Sequence, residues 1–238
     1  MRSRRWAAVT VLVLSGCLAG CTARAGLPMG GAYASSATPT PTATPTLDPT
    51  VSGELTRALA DIRALPAVAS ATKAVTFSQS FILIKGKDGA RPTPVEQHSF
   101  HASFAVAMSA DATARQTAAV TRTLARDVGW TGIDLAIETP ATNGRIATRQ
   151  NWTGTFDGNV DQDNSLGVSQ GLFVLATTPG VQSLSVSIPY TGRIDYGQLT
   201  IDVSPNDDAT LAAVKAVVKT TEFRDITLHG SFANGAKP

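Results

Sequence analysis

The chain has 238 residues, 43% of them apolar, and carries 20 basic against 18 acidic side chains. That length supports one substantial domain or two small ones, and so even a charge balance supplies no basic field to draw nucleic acid. The two cysteines, Cys17 and Cys21, both fall near the start, so nothing beyond them can form a disulfide, a thiol nucleophile or a cysteine metal site.

Arg2, Arg4 and Arg5 make a positive amino-terminal region, and Trp6 through Leu18 form an apolar stretch of the length of a signal-peptide core. A membrane-spanning helix needs about 20 apolar residues, so this stretch is too short to span. It closes on Leu18-Ala19-Gly20-Cys21, which resembles the lipobox of bacterial lipoprotein precursors. The resemblance covers only the leader and implies diacylglycerol on the Cys21 thiol, cleavage just before it and acylation of the new amino terminus. Leu14-Ser15-Gly16-Cys17 is an overlapping match. Cys21 is the better anchor, because Leu-Ala-Gly is the more typical sequence and leaves a longer apolar core upstream. Stable anchoring takes about two chains, each buried methylene contributing roughly 0.8 kcal/mol. The expected location is the extracytoplasmic face of a bacterial cell membrane, held by lipid, with an envelope protein or the cell wall as a further partner. Cleavage would remove three arginines and no acid, leaving 17 basic and 18 acidic groups, a net charge of −1.

From Ala34 to Thr50 the chain is almost wholly alanine, serine, threonine and proline, a composition that cannot bury a core and that reaches about 3.1 Å per residue in the extended polyproline form. Residues 21–50 therefore read as a lipidated cysteine on a stalk. Leu55, Leu59 and Ile62 then fall at helical spacing, and Pro66 ends that helix. An extended run begins around Val75 and Phe77 and continues through Phe81-Ile82-Leu83-Ile84. Lys85 to Gly89 reads as a hairpin turn. Phe100, Ala102, Phe104, Val106 and Met108 alternate onto one strand face. Ser109 or Asp111 is placed to cap a helix whose buried stripe is Thr117, Val120, Leu124 and Val128. After Gly129-Trp130, Ile133 to Ile137 alternate again.

The second half repeats this order. Thr178-Pro179-Gly180-Val181 echoes Leu65-Pro66-Ala67-Val68, and Leu184, Val186 and Ile188 echo the strand around Val75. Leu199, Ile201 and Val203 follow as a strand, Ser204 to Thr210 as a capped helix start, and Leu211, Val214 and Val218 as its stripe. Phe223 stands where Trp130 stood, before a strand from Asp225 to His229. The expected fold is α+β, with two pseudo-repeated helix-strand-strand-helix-strand units at 51–142 and 166–238 and a sheet covered by helices on one face. Whether they share a sheet is left open. Between them, residues 143–165 hold a strand around Trp152 and Phe156 and then a turn-rich stretch.

Few residues invite chemistry. Asp157, Asn159, Asp161 and Asp163 place oxygen ligands at alternate positions, as a calcium loop does, but Gln162 stands where that loop needs glycine and Val168 where it needs a bidentate glutamate. No other cofactor is suggested. His98 and His101 are three apart on a strand and so face opposite ways, which leaves them unable to share a metal. No Gly-x-Ser-x-Gly motif marks a nucleophile, and Ser185 and Ser187 read as solvent-facing. Arg115, Arg122 and Arg126, and likewise Lys215 and Lys219, read as the solvated faces of amphipathic helices, with contact to anionic headgroups or wall polymers as the functional alternative. Asn206-Asp207-Asp208 reads as helix N-terminal acids. The chain therefore reads as a non-enzymatic, lipid-anchored binding or scaffold module. The alternatives are an extracytoplasmic hydrolase with a dispersed site, and a carrier of apolar molecules, which needs a large void between sheet and helices.

Overall fold

The computed structural model describes residues 45–84, 93–128, 133–154, 162–189 and 193–238. Four helices, α1 (Pro49–Arg63), α2 (Ala114–Asp127), α3 (Gln162–Ala176) and α4 (Asp208–Lys219), accompany seven strands. These are β1 (Val68–Ile84), β2 (Thr93–Met108), β3 (Ile133–Thr139), β4 (Thr148–Gly154), β5 (Val181–Pro189), β6 (Gln198–Val203) and β7 (Thr227–Gly230). The strands form one sheet in chain order, β1 to β7. Pairs alternate between antiparallel (β1–β2, β3–β4, β5–β6) and parallel (β2–β3, β4–β5, β6–β7). Each parallel pair is joined by a helix, as a parallel connection requires.

The α+β class and the two helix-strand-strand-helix-strand units are both present: α1-β1-β2-α2-β3, then α3-β5-β6-α4-β7. They share one sheet, with β4 as an extra strand between them. The likeness extends to small irregularities. A bulge falls between Val68 and Ser70 in β1 and between Val181 and Ser183 in β5. The Ser109 amide donates to the Ala67 carbonyl at 2.7 Å, and the Ser204 amide to the Gly180 carbonyl at 2.8 Å. Ala67 and Gly180 both have left-handed backbones, φ +64° and +88°. Each follows a proline, the residue order of a type II turn.

One consecutive set of side chains faces the helices. Phe104, Leu135, Trp152 and Ile188 stand side by side across β2 to β5, and Val186, Leu199 and Leu228 continue the layer across β5 to β7; all are buried. Leu55, Ile62, Val120, Leu124, Leu172, Val214 and Val218 complete it from the helices. Burying a leucine, valine or isoleucine contributes roughly 1.5–3 kcal/mol each, and this layer is the main cohesive element. The strand direction reverses between β3 and β4 while the chain keeps to one face and moves the same way across the sheet. The α3 crossover therefore has the opposite hand to those of α2 and α4, so the rare left-handed form occurs in this fold.

Some expectations are corrected. The cap of α2 is Thr113, two residues beyond Asp111. Its Oγ1 accepts the Gln116 amide at 3.3 Å, and the Gln116 side chain accepts the Thr113 amide at 2.8 Å, a reciprocal capping box. The first strand starts at Val68, seven residues before Val75, because the Pro66-Ala67 turn feeds directly into it. The second unit starts at Gln162, so Asp163 lies in the first turn of α3 and not in a loop. The strand around Trp152 is β4; Phe156 lies outside the described residues, as does the Lys85–Gly89 turn.

Candidate functional site

With all four described helices on one side, the other side of the sheet is bare among the described residues. Its centre is Thr72, Ala105, Ala136, Asn151 and Ser187, one from each of five adjoining strands. These side chains are short, so the surface sinks there into a shallow depression of about 540 Å³ that Ala74, Ser103, Asp134 and Thr153 also line. Larger side chains rise around it. The alternation that buries Leu135 and Trp152 on one side places Asp134, Ala136 and Asn151 on this one.

Several charged side chains of this face have hydrogen-bonding partners. His101 Nε2 lies 2.8 Å from Asp134 Oδ2, both side chains being a little over 40% exposed. Arg149 reaches Glu138 at 3.5 Å, and its Nε donates to Asn151 Oδ1 at 3.2 Å. Ser183 Oγ donates to Asp202 Oδ2 at 2.6 Å. Exposed pairs of this kind contribute about 0–1 kcal/mol each. Together they present a polar, hydrogen-bonding surface.

The histidines fall as the spacing requires. His101 is on the bare face, while His98 is on the helix side, where it stacks on Phe77 with ring centroids 5.4 Å apart. His229 pairs its Nδ1 with Asn234 Oδ1 at 3.2 Å. Ser103 shares the bare face with His101 and stands opposite Asp134 in register. Serine, histidine and aspartate are thus neighbours, but the described hydrogen bonds join only the last two. Ser185 and Ser187 also line the bare face, half-buried. Among the described residues, no three His, Cys, Asp or Glu side chains converge as metal ligands. Asp157, Asn159 and Asp161 lie outside those residues, as do Cys17 and Cys21.

The helix cations do not form one patch. Arg126 binds Asp127 at 2.6 Å and Asp61 at 3.1 Å, and the Asp127 hydrogen bond, with the charges of Asp127 and Asp61, raises its pKa. Lys215 Nζ donates to the Lys237 carbonyl at 3.3 Å and lies over the Phe232 ring. Arg115 and Lys219 are exposed. Asp207 caps α4, its Oδ1 accepting the Thr210 amide at 2.7 Å, and hydrogen bonding from the Thr210 backbone holds its carboxyl below the usual carboxylate range. The acidic cluster is thus helix-terminal, with Asp208 in the first turn.

One buried polar feature was missed in the sequence. Gln150 on β4 is buried and donates from Nε2 to Ser169 Oγ on α3 at 3.2 Å, while its Oε1 accepts from Trp152 Nε1 at 3.3 Å. Thr117 and Thr121 on α2 and Ser165 on α3 are buried as well. The signal that could have found it is spacing, since Gln150 stands two residues before Trp152 and so shares its face; the register with Ile137 and Val186 places both inward.

Compared with known proteins, the chain matches no family model, no curated protein and no solved structure. No described helix is long and apolar enough to cross a membrane.

Proposed function

We propose that the chain is a lipid-anchored binding module of the bacterial cell envelope, tethered through Cys21 outside the cytoplasmic membrane and without catalytic activity of its own. The carrying observation is the order of parts: a basic and apolar leader ending in Leu18-Ala19-Gly20-Cys21, a proline-threonine stalk, then a single compact unit from Thr44 onward. The sheet face that no described helix covers fits a binding role, since it offers hydrogen-bonding groups around a shallow depression. A carrier of apolar molecules needs a void under the helices, and that layer is occupied by Phe104, Leu135, Trp152 and Leu172. The test is metabolic labelling with a fatty acid in a bacterial host. Label is expected on the wild-type chain and on Cys17→Ala, and is lost in Cys21→Ala. Label that persists in Cys21→Ala overturns the anchor site, and an unlabelled wild-type chain overturns the anchor itself.

The His101–Asp134 pair favours hydrolysis as the second reading, because a histidine oriented by a carboxylate is what a serine nucleophile needs as its base. A fluorophosphonate probe separates the two. No reaction is expected from the wild-type protein. Labelling that disappears in both Ser103→Ala and His101→Ala would establish the hydrolase.

A further inference from the structure

The sheet has two edges, and they are finished differently. At one end β7 is four residues long, and the chain's last segment covers it: the Leu228 amide donates to the Ala236 carbonyl at 2.8 Å and the Gly235 amide to the Leu228 carbonyl at 3.2 Å. At the other end β1 is 17 residues long and, among the described residues, pairs on one side only, with β2. Beyond Ala102 no described strand joins that pair, so Thr76–Ile84 and Thr93–His101 continue as a two-stranded ribbon among the described residues, nine residues or about 30 Å long.

An exposed edge of this length is a template for another strand, and proteins ordinarily block one with proline, charge or a bulge. In β1 the bulge comes at the very start, before Ser70, and proline is absent. The one charge, Lys73, is turned inward, its Nζ donating to Thr56 Oγ1 on α1 at 2.7 Å. Arg63 Nε reaches the Ala71 carbonyl at 2.9 Å, which shows that Ala71 points its backbone outward. In an antiparallel ladder such residues alternate, so Lys73, Val75, Phe77 and Phe81 do the same. Val75 and Phe81, 39% and 65% exposed, are two of the few large apolar side chains left in solvent.

We infer that this edge receives the β1 edge of a second copy of the chain, antiparallel about a two-fold axis at Ser78. The register that pairs Thr72 with Ile84 of the partner subunit uses the whole strand beyond Ala71. It also sets each exposed Val75 opposite the other copy's exposed Phe81, on the same sheet face, with both residues presenting their backbone groups to the ladder. The ribbon of each copy comes to lie beside the body of the other. Thirteen paired residues make an edge about 45 Å long and roughly 10 Å deep, about 900 Å² over both copies, close to the ~1,000 Å² of a small specific interface before Val75 and Phe81 add their contact. The chain's own stalk is the weaker occupant, because Pro39, Pro41 and Pro45 lack the amide hydrogen that a ladder needs.

The test does not depend on lipid. The chain from residue 21 onward carrying Cys21→Ser is examined by sedimentation velocity from 1 to 100 µM. A monomer–dimer equilibrium is expected, with the dimer predominant at the upper end. Val75→Pro removes an outward amide while sparing every bond to β2, and Phe81→Lys sets a charge on the edge. Both should weaken dimerisation at least tenfold with far-UV circular dichroism unchanged, whereas Val174→Lys, at another exposed apolar site, should not. Ser78→Cys should oxidise to an intermolecular disulfide, since the two copies of residue 78 adjoin on the axis. A wild-type chain that stays monomeric at 100 µM overturns the inference, as does a dimer that survives both edge variants. Deleting residues 22–44 should leave dimerisation unchanged; a chain that dimerises only after that deletion has its edge covered by the stalk, and the inference falls.

Discussion

The two repeated units share a frame and differ in what is built on it. In the second, β5 and β6 are nine and six residues long, and a 3-10 turn at Ile194–Tyr196 and Gly197 lie between them. In the first, β1 and β2 run to 17 and 16 residues. The bulges, the proline turns and the serine contacts that pin those turns are the same, so the extra length is an addition to the first unit and not a different fold. The position of each unit in the sheet accounts for the asymmetry. The second unit ends on a short strand paired with the segment around Ala236, while the first holds the edge that no other described strand pairs.

The strand with no counterpart, β4, joins the two units, and breaking it should have the largest effect. Trp152 is buried at the centre of β4, between Leu135 and Ile188, and its indole nitrogen is bonded to Gln150. Trp152→Ala is expected to cost about 3–5 kcal/mol, measured by urea denaturation. If the units are one cooperative body, the variant unfolds in a single transition at lower urea. Two separated transitions would show that each unit folds alone.

The paired turns sharpen the comparison, because the same left-handed position holds alanine in one unit and glycine in the other. A non-glycine residue there costs roughly 1–2 kcal/mol. Gly180→Ala is expected to destabilise by about that amount, and the new methyl would also meet Thr210 Cγ2 at 2.9 Å. Ala67→Gly is expected to stabilise by up to about 1 kcal/mol, the relief of strain being offset by the greater freedom of glycine in the unfolded chain. Thermal denaturation of the two variants should therefore shift in opposite directions.

How far these features could be read in advance depends on how locally each is encoded. The strand-helix-strand order and the Pro66 and Pro179 turns were legible, since period-two and period-three-to-four apolar patterns and proline positions are local. The start of α3 was not. Its sequence opens on Gln162-Asp163-Asn164-Ser165 and mixes polar, small and apolar residues without a clear stripe, and Gly167 and Gly171 are there because Glu222 and Phe223 press against them, contacts made by residues some fifty positions away. The bare face was equally hidden. Ala105, Ala136 and Ser187 look like ordinary strand residues until the register sets them side by side. The His98–His101 divergence, by contrast, followed from spacing alone.

The helix caps give the smallest expected effects and the finest contrast between the units. The first uses a hydroxyl, Thr113, and the second a carboxylate, Asp207. Thr113→Ala is expected to cost about 1 kcal/mol, equally at pH 7 and pH 3, because neither Thr113 nor its partner Gln116 titrates. Asp207 behaves differently. Its folded pKa lies below the unfolded one through its hydrogen bond to the Thr210 backbone, so its added stability is present above the unfolded value, near pH 4, and is lost as pH falls through the folded value. Asp207→Asn keeps a capping oxygen without the charge. The gap in stability between wild type and Asp207→Asn should be open at neutral pH and close below about pH 4, whereas the gap for Thr113→Ala stays constant. Taking each difference against wild type cancels the contributions of Asp48, Asp111 and Asp195, whose carboxyls are lowered as well, so a gap for Asp207→Asn that persists unchanged to pH 3 would mean that its charge adds nothing to the cap.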